Sequence, residues 1–254
     1  MKTALTRRPS PHLDRCELTY IERNRIHILR AESQHREFRK LLTKCNYRVI
    51  TLDAVTNLPD SVFVEDTALV LPEIAVVFPM AEGSRSGESD LIEAELRPFR
   101  KTVRIEPPAK IEGGDILRVG KTIFAGISAR TNATGAEALA EIVRKWDYEV
   151  VKVPVKDALH LKTACTALDD ETLIINPSWV DPAAFKGLRC IEVGPEEPFA
   201  ANTLSLNNQI VMCEGFVKTR GRIEKAGFST TTADISEFLK AEAGLTCLCI
   251  LIED

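Results

Sequence analysis

The feature that most constrains this chain is an order of elements that comes round five times. A helix pattern over 31–45, with Phe38, Leu41, Leu42 and Cys45 at helical spacing, leads into a strand at 47–52. Further helix–strand pairs follow at 88–99 and 102–105, 132–146 and 149–153, 182–186 and 190–193, and 218–226 and 228–232. Asn132 is a natural N-cap for the third helix, and the fourth is short. After each pair come one or two more strands, at 67–71 and 74–78, 116–119 and 122–125, 159–168 and 172–176, 203–206 and 209–213, and finally 246–252. Residues 1–30 show no regular pattern. The period, roughly 40–50 residues, falls in the range of repeat architectures. The copies share no obvious sequence, so the repeat is one of structure.

A doubly wound sheet is the competing arrangement for alternating helices and strands. Against it, strands outnumber helices about two to one, and Glu112-Gly113-Gly114-Asp115 fits neither Gly-rich phosphate loop. A ring of strand–strand–helix–strand units is therefore expected. No linker rich in Pro, Gly or Ser divides it, so one α/β domain over 1–254 is expected. With 44% hydrophobic and 28% charged residues the chain can bury a sizeable core. Its net charge of -4 gives no pull toward nucleic acid or an anionic membrane, and its apolar runs are too short to span a bilayer. Residues 1–8 lack the apolar core of a signal peptide. The seven cysteines have no CxxC spacing, only the pair Cys247 and Cys249, which suits reduced thiols in a cytoplasm and argues against structural zinc.

The chemistry-bearing residues fall at similar phases of the repeat. Asp60, Glu65 and Asp66 flank Phe63 in a run whose valines would suit a buried strand. Glu112, His160, Asn202 and Cys247 occupy comparable places in the later units. Taken singly, each has an ordinary explanation: a solvated strand end, a turn, a core histidine, a buried thiol. A shared phase weakens these explanations together, because a ring would bring equivalent positions to one axis. The set is also complementary. Paired carboxylates bind a planar cation by bidentate hydrogen bonds. A histidine oriented by a carboxylate passes protons near neutral pH, and a thiol beside it can become a nucleophile. Acids, imidazole and thiol together suit attack on a guanidinium better than peptide hydrolysis.

On these residues the chain resembles the dimethylarginine dimethylaminohydrolases, within the amidinotransferase and arginine deiminase superfamily. The resemblance is carried by Leu58-Pro59-Asp60-Ser61-Val62-Phe63-Val64-Glu65-Asp66, Glu112-Gly113-Gly114-Asp115, Ser128-Ala129-Arg130-Thr131-Asn132, Leu159-His160-Leu161-Lys162-Thr163, Ala200-Ala201-Asn202 and Gly244-Leu245-Thr246-Cys247. It implies a five-bladed α/β propeller of ββαβ modules. It further implies Cys247 as nucleophile, His160 as general acid and base, and Glu112 as the acid supporting that histidine. Asp66, with Glu65, Asp60 and Phe63, would receive the guanidinium end. Arg85 and Arg130 would bind the substrate carboxylate, and Leu18 would belong to a loop closing over it. The implied reaction is hydrolysis of an Nω-methylated arginine to citrulline and an amine, without a cofactor or catalytic metal, although zinc on the thiol would inhibit. The expected partner is this small molecule alone, with no nucleic acid or membrane, and a monomer or homodimer is expected. The rival readings are a deiminase of free arginine or another amidine, a non-catalytic guanidine-binding protein on the same fold, and, third, a cysteine protease.

Overall fold

Each short apolar run of the repeat pairs within its own unit. The structure, a computed structural model, describes residues 2–253. In chain order the strands are β1 (Thr3–Arg7), β2 (Arg48–Leu52), β3 (Ala68–Val70), β4 (Ala75–Val77), β5 (Thr102–Arg104), β6 (Ile116–Val119), β7 (Thr122–Ile127), β8 (Glu149–Pro154), β9 (Cys165–Ala167), β10 (Thr172–Ile175), β11 (Arg189–Glu192), β12 (Leu204–Leu206), β13 (Gln209–Cys213), β14 (Ser229–Ala233) and β15 (Ile250–Ile252). Among the described residues they form five sheets of three. In every sheet the first pair is antiparallel and the second parallel, as in β6–β7–β8, where Leu117 faces Phe124 and Phe124 faces Val151.

Turn chemistry explains this division. Four of the antiparallel pairs need only short turns, such as Asn207-Asn208 between β12 and β13, where both residues take positive φ of 47° and 66°. A parallel pair needs a crossover. The crossovers are α1 (Ile28–Lys44), α2 (Glu88–Leu96) and α3 (Ala133–Val143). The short helices α4 (Leu161–Ala164) and α6 (Ser236–Leu239) lie outside this scheme, and α5 (Val217–Lys225) is the crossover between β13 and β14. Asn132 caps α3 as expected, its side chain accepting from Gly135 N at 2.8 Å. In the fourth unit the crossover shrinks to a 3₁₀ turn, Pro182–Ala184. Phe185 after it is buried against Phe124, the rings 4.9 Å apart. Along α1, Phe38 and Leu42 are buried in the main core cluster, each contributing about 1.5–3 kcal/mol.

The ring closes between the chain ends. β15 pairs antiparallel with β1, Leu5 opposite Ile250, and β1 runs parallel to β2, Leu5 opposite Ile50. The five-bladed α/β propeller of ββαβ units is thus realised, with one blade assembled from both termini. No helix among the described residues is long and apolar enough to cross a membrane.

Four expectations are corrected. Residues 1–30 are not wholly irregular. They contain β1, whose Thr3, Thr6 and Arg7 look polar in the sequence yet are buried. The run around Phe63 is not a strand but two 3₁₀ turns, Pro59–Val62 and Val64–Thr67. The stretch 159–168 begins with α4 and becomes strand only at β9, and 246–252 begins with the 3₁₀ turn Thr246–Leu248. The correction has one pattern. In each blade a turn precedes the first strand, and those turns carry Asp66, Glu112, His160, Asn202 and Cys247.

Candidate active site

Because the five turns face one axis, residues remote in sequence share a cavity. It measures about 20 Å³ and is walled by Asp60, Phe63, Asp66, Arg85, Arg130, His160 and Cys247, with Glu17 from the N-terminal segment. Ala241, Glu242 and Ala243 complete it beside the Cys247 turn.

His160 stands at the N-terminal end of α4, and its Nε2 meets Glu112 Oε2 at 2.8 Å. Its Nδ1 lies 4.0 Å from Asp66 Oδ1. Burial alone would lower the imidazole pKa. The charges of Asp66, Glu112 and Asp115 outweigh it and hold His160 up at about 9, so the ring is an imidazolium near neutral pH. For Glu112, burial pushes the other way from its partners. The hydrogen bond to His160 and the charges of Arg85 and Arg130 prevail and keep it below the ordinary carboxylate range. Asp115 positions the pair from behind. It accepts from Leu161 N at 2.8 Å and from Ser128 Oγ at 2.7 Å, fixing both the start of α4 and the loop that carries Arg130. Gly114 is required by close approach, since a Cβ there would lie 2.5 Å from His160 Nδ1.

The acidic end is more heavily paired than the sequence suggested. Asp66 Oδ2 accepts from Arg85 at 2.9 Å and Oδ1 from Gly114 N at 3.1 Å. Arg85 is buried and also donates to both oxygens of Glu88, at 3.1 and 2.9 Å. It therefore serves first as the counterion of two acids, and its Nη2 also reaches Phe63 O at 3.5 Å while its side chain lines the cavity. Arg130 is held more loosely, 3.6 Å from Glu112 and 3.8 Å from Glu82, and donates to Thr19 Oγ1 at 3.2 Å. Asp60, raised to about 6 by burial against the opposing pull of Arg85, accepts from Glu17 N at 3.2 Å on both oxygens. Glu65 does not line the cavity. Its oxygens take Lys162 Nζ at 2.5 Å and Thr246 Oγ1 at 2.6 Å, so it ties together turns of three blades. Leu18 also lies outside the cavity wall. It packs half-buried against the main core, while its neighbour Glu17 faces the site.

The Cys247 turn is held by Asn202, whose Nδ2 donates to Lys162 O at 2.9 Å and Thr246 Oγ1 at 3.1 Å. Asn202 Oδ1 accepts from Thr246 N at 3.3 Å. Gly244 is needed beside it, because a Cβ would lie 2.3 Å from the Asn202 side chain. Gly244 N donates to Cys247 Sγ at 3.4 Å. Burial, then the carboxylates of Asp66 and Glu65, pushes the Cys247 thiol well above its usual pKa. All seven cysteines are free. Asp66, Glu112 and His160 place one ligand atom each within 4.8 Å of one another, a grouping able to meet a cation, though each is already bonded within the site.

Sequence reasoning missed Lys162, Thr246, Glu88 and the positioning role of Asp115. Lys162, Thr246 and Asp115 lay inside recognised motifs. Only Glu88, three residues after Arg85, carried an independent signal, the spacing of a helical ion pair.

Comparison with known proteins agrees with this geometry. The family model for arginine deiminase matches residues 14–206. An N(G),N(G)-dimethylarginine dimethylaminohydrolase of Pseudomonas aeruginosa is 34% identical over 87% of this chain and 88% of its own. One from Streptomyces coelicolor is 34% identical over 100% of this chain and 98% of its own. The solved Pseudomonas aeruginosa structure, a Cys-to-Ser mutant complexed with citrulline, superposes with a TM-score of 0.94 at 31% identity, covering 98% of both chains. The N-terminal domain of the cyanobacterial arginine dihydrolase ArgZ is alike in fold, with a TM-score of 0.90 at 23% identity over 100% of this chain and 99% of that one. The chain belongs to the arginine deiminase family, among its dimethylarginine dimethylaminohydrolases.

Proposed function

We propose that this protein hydrolyses an Nω-methylated arginine to citrulline and methylamine or dimethylamine, with Cys247 as nucleophile and His160 as general acid and base. The observation that carries the reading is the meeting of thiol, imidazolium and Asp66 carboxylate in one buried cavity. The dimethylarginine hydrolases similar to this chain over 87% and 100% of its length support the choice of substrate.

The guanidinium lies against Asp66, and the α-carboxylate meets Arg130 and Arg85, both of which wall the cavity. Asp60 takes the α-ammonium once Glu17 moves off it. The arriving cation offsets the acids that hold the Cys247 thiol neutral, and the thiol releases its proton to solvent as substrate enters, since His160 already carries one. The thiolate adds to the guanidinium carbon. His160 protonates the methylated nitrogen, the C–N bond breaks, and the neutral amine leaves an S-alkylthiouronium on Cys247. The now neutral imidazole takes a proton from water as its oxygen adds to the same carbon. Collapse expels the sulfur, which takes the hydroxyl proton back as the thiol, and yields citrulline, leaving Cys247 neutral and His160 protonated as they began.

The test is a citrulline assay across asymmetric dimethylarginine, monomethylarginine, arginine and agmatine. Turnover is expected for the methylated amino acids and not for agmatine, which lacks the carboxylate. Comparable turnover of free arginine would move the assignment to a deiminase. Cys247→Ser should bind substrate without turnover, and an active variant would remove the nucleophile. Asp66→Ala should abolish binding of the guanidinium end.

A further inference from the structure

A cavity of about 20 Å³ holds little more than one water. If it takes an amino acid, as the proposed function requires, one wall must move. That wall is the segment 16–27, between the 3₁₀ turn Leu13–Arg15 and α1, which has no regular secondary structure. Three acceptors or donors of the site hold it. Asp60 accepts from Glu17 N, and Arg130 donates to Thr19 Oγ1 at 3.2 Å. Both residues are needed by substrate, so these grips are exchanged when substrate binds. The third has no such duty. Glu242 Oε2 accepts from Thr19 N at 2.7 Å and Oε1 from Tyr20 N at 2.9 Å.

We propose that Glu242 is the latch of the active-site lid, a positioning residue whose carboxylate ties the segment 16–27 to the loop that leads from α6 into the Cys247 turn. Two further observations support it. Glu242 sits at φ 59°, a conformation that a non-glycine residue keeps only when its surroundings hold it. Packing is also weak where the latch acts. Tyr20 is 48% exposed, and behind the lid lies an apolar cavity of about 270 Å³ walled by Ile21, Phe216, Leu239 and Glu242. Leu18 and Ile26 anchor the segment to the main core on either side, so the exposed stretch between them is closed at Thr19 and Tyr20 by these two charge-assisted hydrogen bonds. Because Ala241 and Ala243 line the catalytic cavity on either side of Glu242, the latch sets lid and nucleophile turn in one register.

The test reads the lid in the free protein first. Hydrogen exchange is measured for wild type, Glu242→Gln, which weakens the acceptor, and Glu242→Gly, which removes it and suits the positive φ. Amides of Thr19 and Tyr20 should exchange about tenfold faster or more in Glu242→Gln, faster still in Glu242→Gly, with β13 and β14 unchanged. Trypsin should cut after exposed Arg23 correspondingly faster. Unchanged lid exchange, or acceleration spread equally through the sheets, would overturn the latch. These arms need no substrate and stand apart from the proposed reaction. Where asymmetric dimethylarginine is turned over, KM should rise about tenfold with kcat within about threefold. A fall in kcat at unchanged KM would place Glu242 in the chemistry and overturn the proposal.

Discussion

Glu112→Gln isolates the support that the imidazolium receives from a single charge. The side chain keeps its size and an acceptor, while its buried negative charge is removed. His160 is held at about 9 against 6.5 for an ordinary imidazole. At about 1.4 kcal/mol per pH unit, the favourable surroundings exceed the burial cost by roughly 3.5 kcal/mol. Asp66, Glu112 and Asp115 share this. A hydrogen bond to a charged group contributes about 1.5–3 kcal/mol, so Glu112 accounts for about one to two pH units. The variant should therefore place His160 at roughly 7–8. Two measurements read this. The alkaline limb of kcat/KM, where the imidazolium that protonates the leaving amine is lost, should move from near pH 9 to that range. A histidine NMR titration of the free protein should move with it. The stability effect has a definite sign. A pKa raised by folding stabilises fully below pH 6.5, and that stabilisation is lost as the pH rises through about 9. The variant's loss of this stabilisation should thus be fully developed at pH 6.5 and just below, and shrink as the pH rises through about 9. An alkaline limb that stays near pH 9 would refute the assignment of Glu112 as the principal partner of His160.

Gly114→Ala inserts a methyl group 2.5 Å from His160 Nδ1 and 2.9 Å from Asp66 Oδ1. Activity should fall about 100-fold with an unchanged circular dichroism spectrum, since misplacement by about 1 Å costs that much; near-normal turnover would show the close approach to be unimportant. Asn202→Ala removes the bonds that hold Lys162 O and the Thr246 turn, costing about 1–3 kcal/mol in thermal unfolding and lowering kcat. His35 is fully buried with neither ring nitrogen bonded, and burial, with the Arg39 charge, lowers it to about 3. Unfolded chains gain a proton there below pH 6.5 while the folded protein does not, so wild type loses stability between pH 6.5 and 3. His35→Leu should remove that loss, gaining roughly 2 kcal/mol on wild type between pH 6.5 and 5, and a gap between the two melting curves that does not depend on pH would contradict it.

The fold was legible because helix period and strand runs recur in a fixed order, and local pattern suffices to see that. Ring closure was not legible. Thr3–Arg7 is polar by composition, and its burial comes from pairing with β2 and β15, a contact between residues at opposite ends of the chain. The chemistry-bearing turns were misread as strands for a related reason. Phe63, Val64 and Leu161 are buried by the ring as a whole, so their apolar character reports burial without reporting backbone conformation. Site residues with distinctive chemistry stood out in the sequence. Their partners did not, because Lys162 and Thr246 become meaningful only once three blades bring them to Glu65.

Those partners alter what the acidic stretch does. An unpaired cluster at Asp60, Glu65 and Asp66 would be a general cation trap, and the cost of burying it would be several kcal/mol per charge. The ring instead assigns Lys162 to Glu65 and Arg85 to Asp66 and Glu88. What remains is a field aimed inward, at the Cys247 thiol, which Asp66 and Glu65 help keep protonated. A cation that reaches Asp66 screens the same field. Binding and activation are then one event, and a neutral analogue of the same shape, such as a urea, would occupy the site without producing the thiolate. The ultraviolet absorbance of a thiolate should accordingly appear when Cys247 protein is mixed with a guanidinium ligand. The ligand-induced increase should be absent with citrulline and in Asp66→Asn, which loses the guanidinium contact together with part of the field on the thiol, and a thiolate signal of equal size in the ligand-free wild type would separate activation from binding.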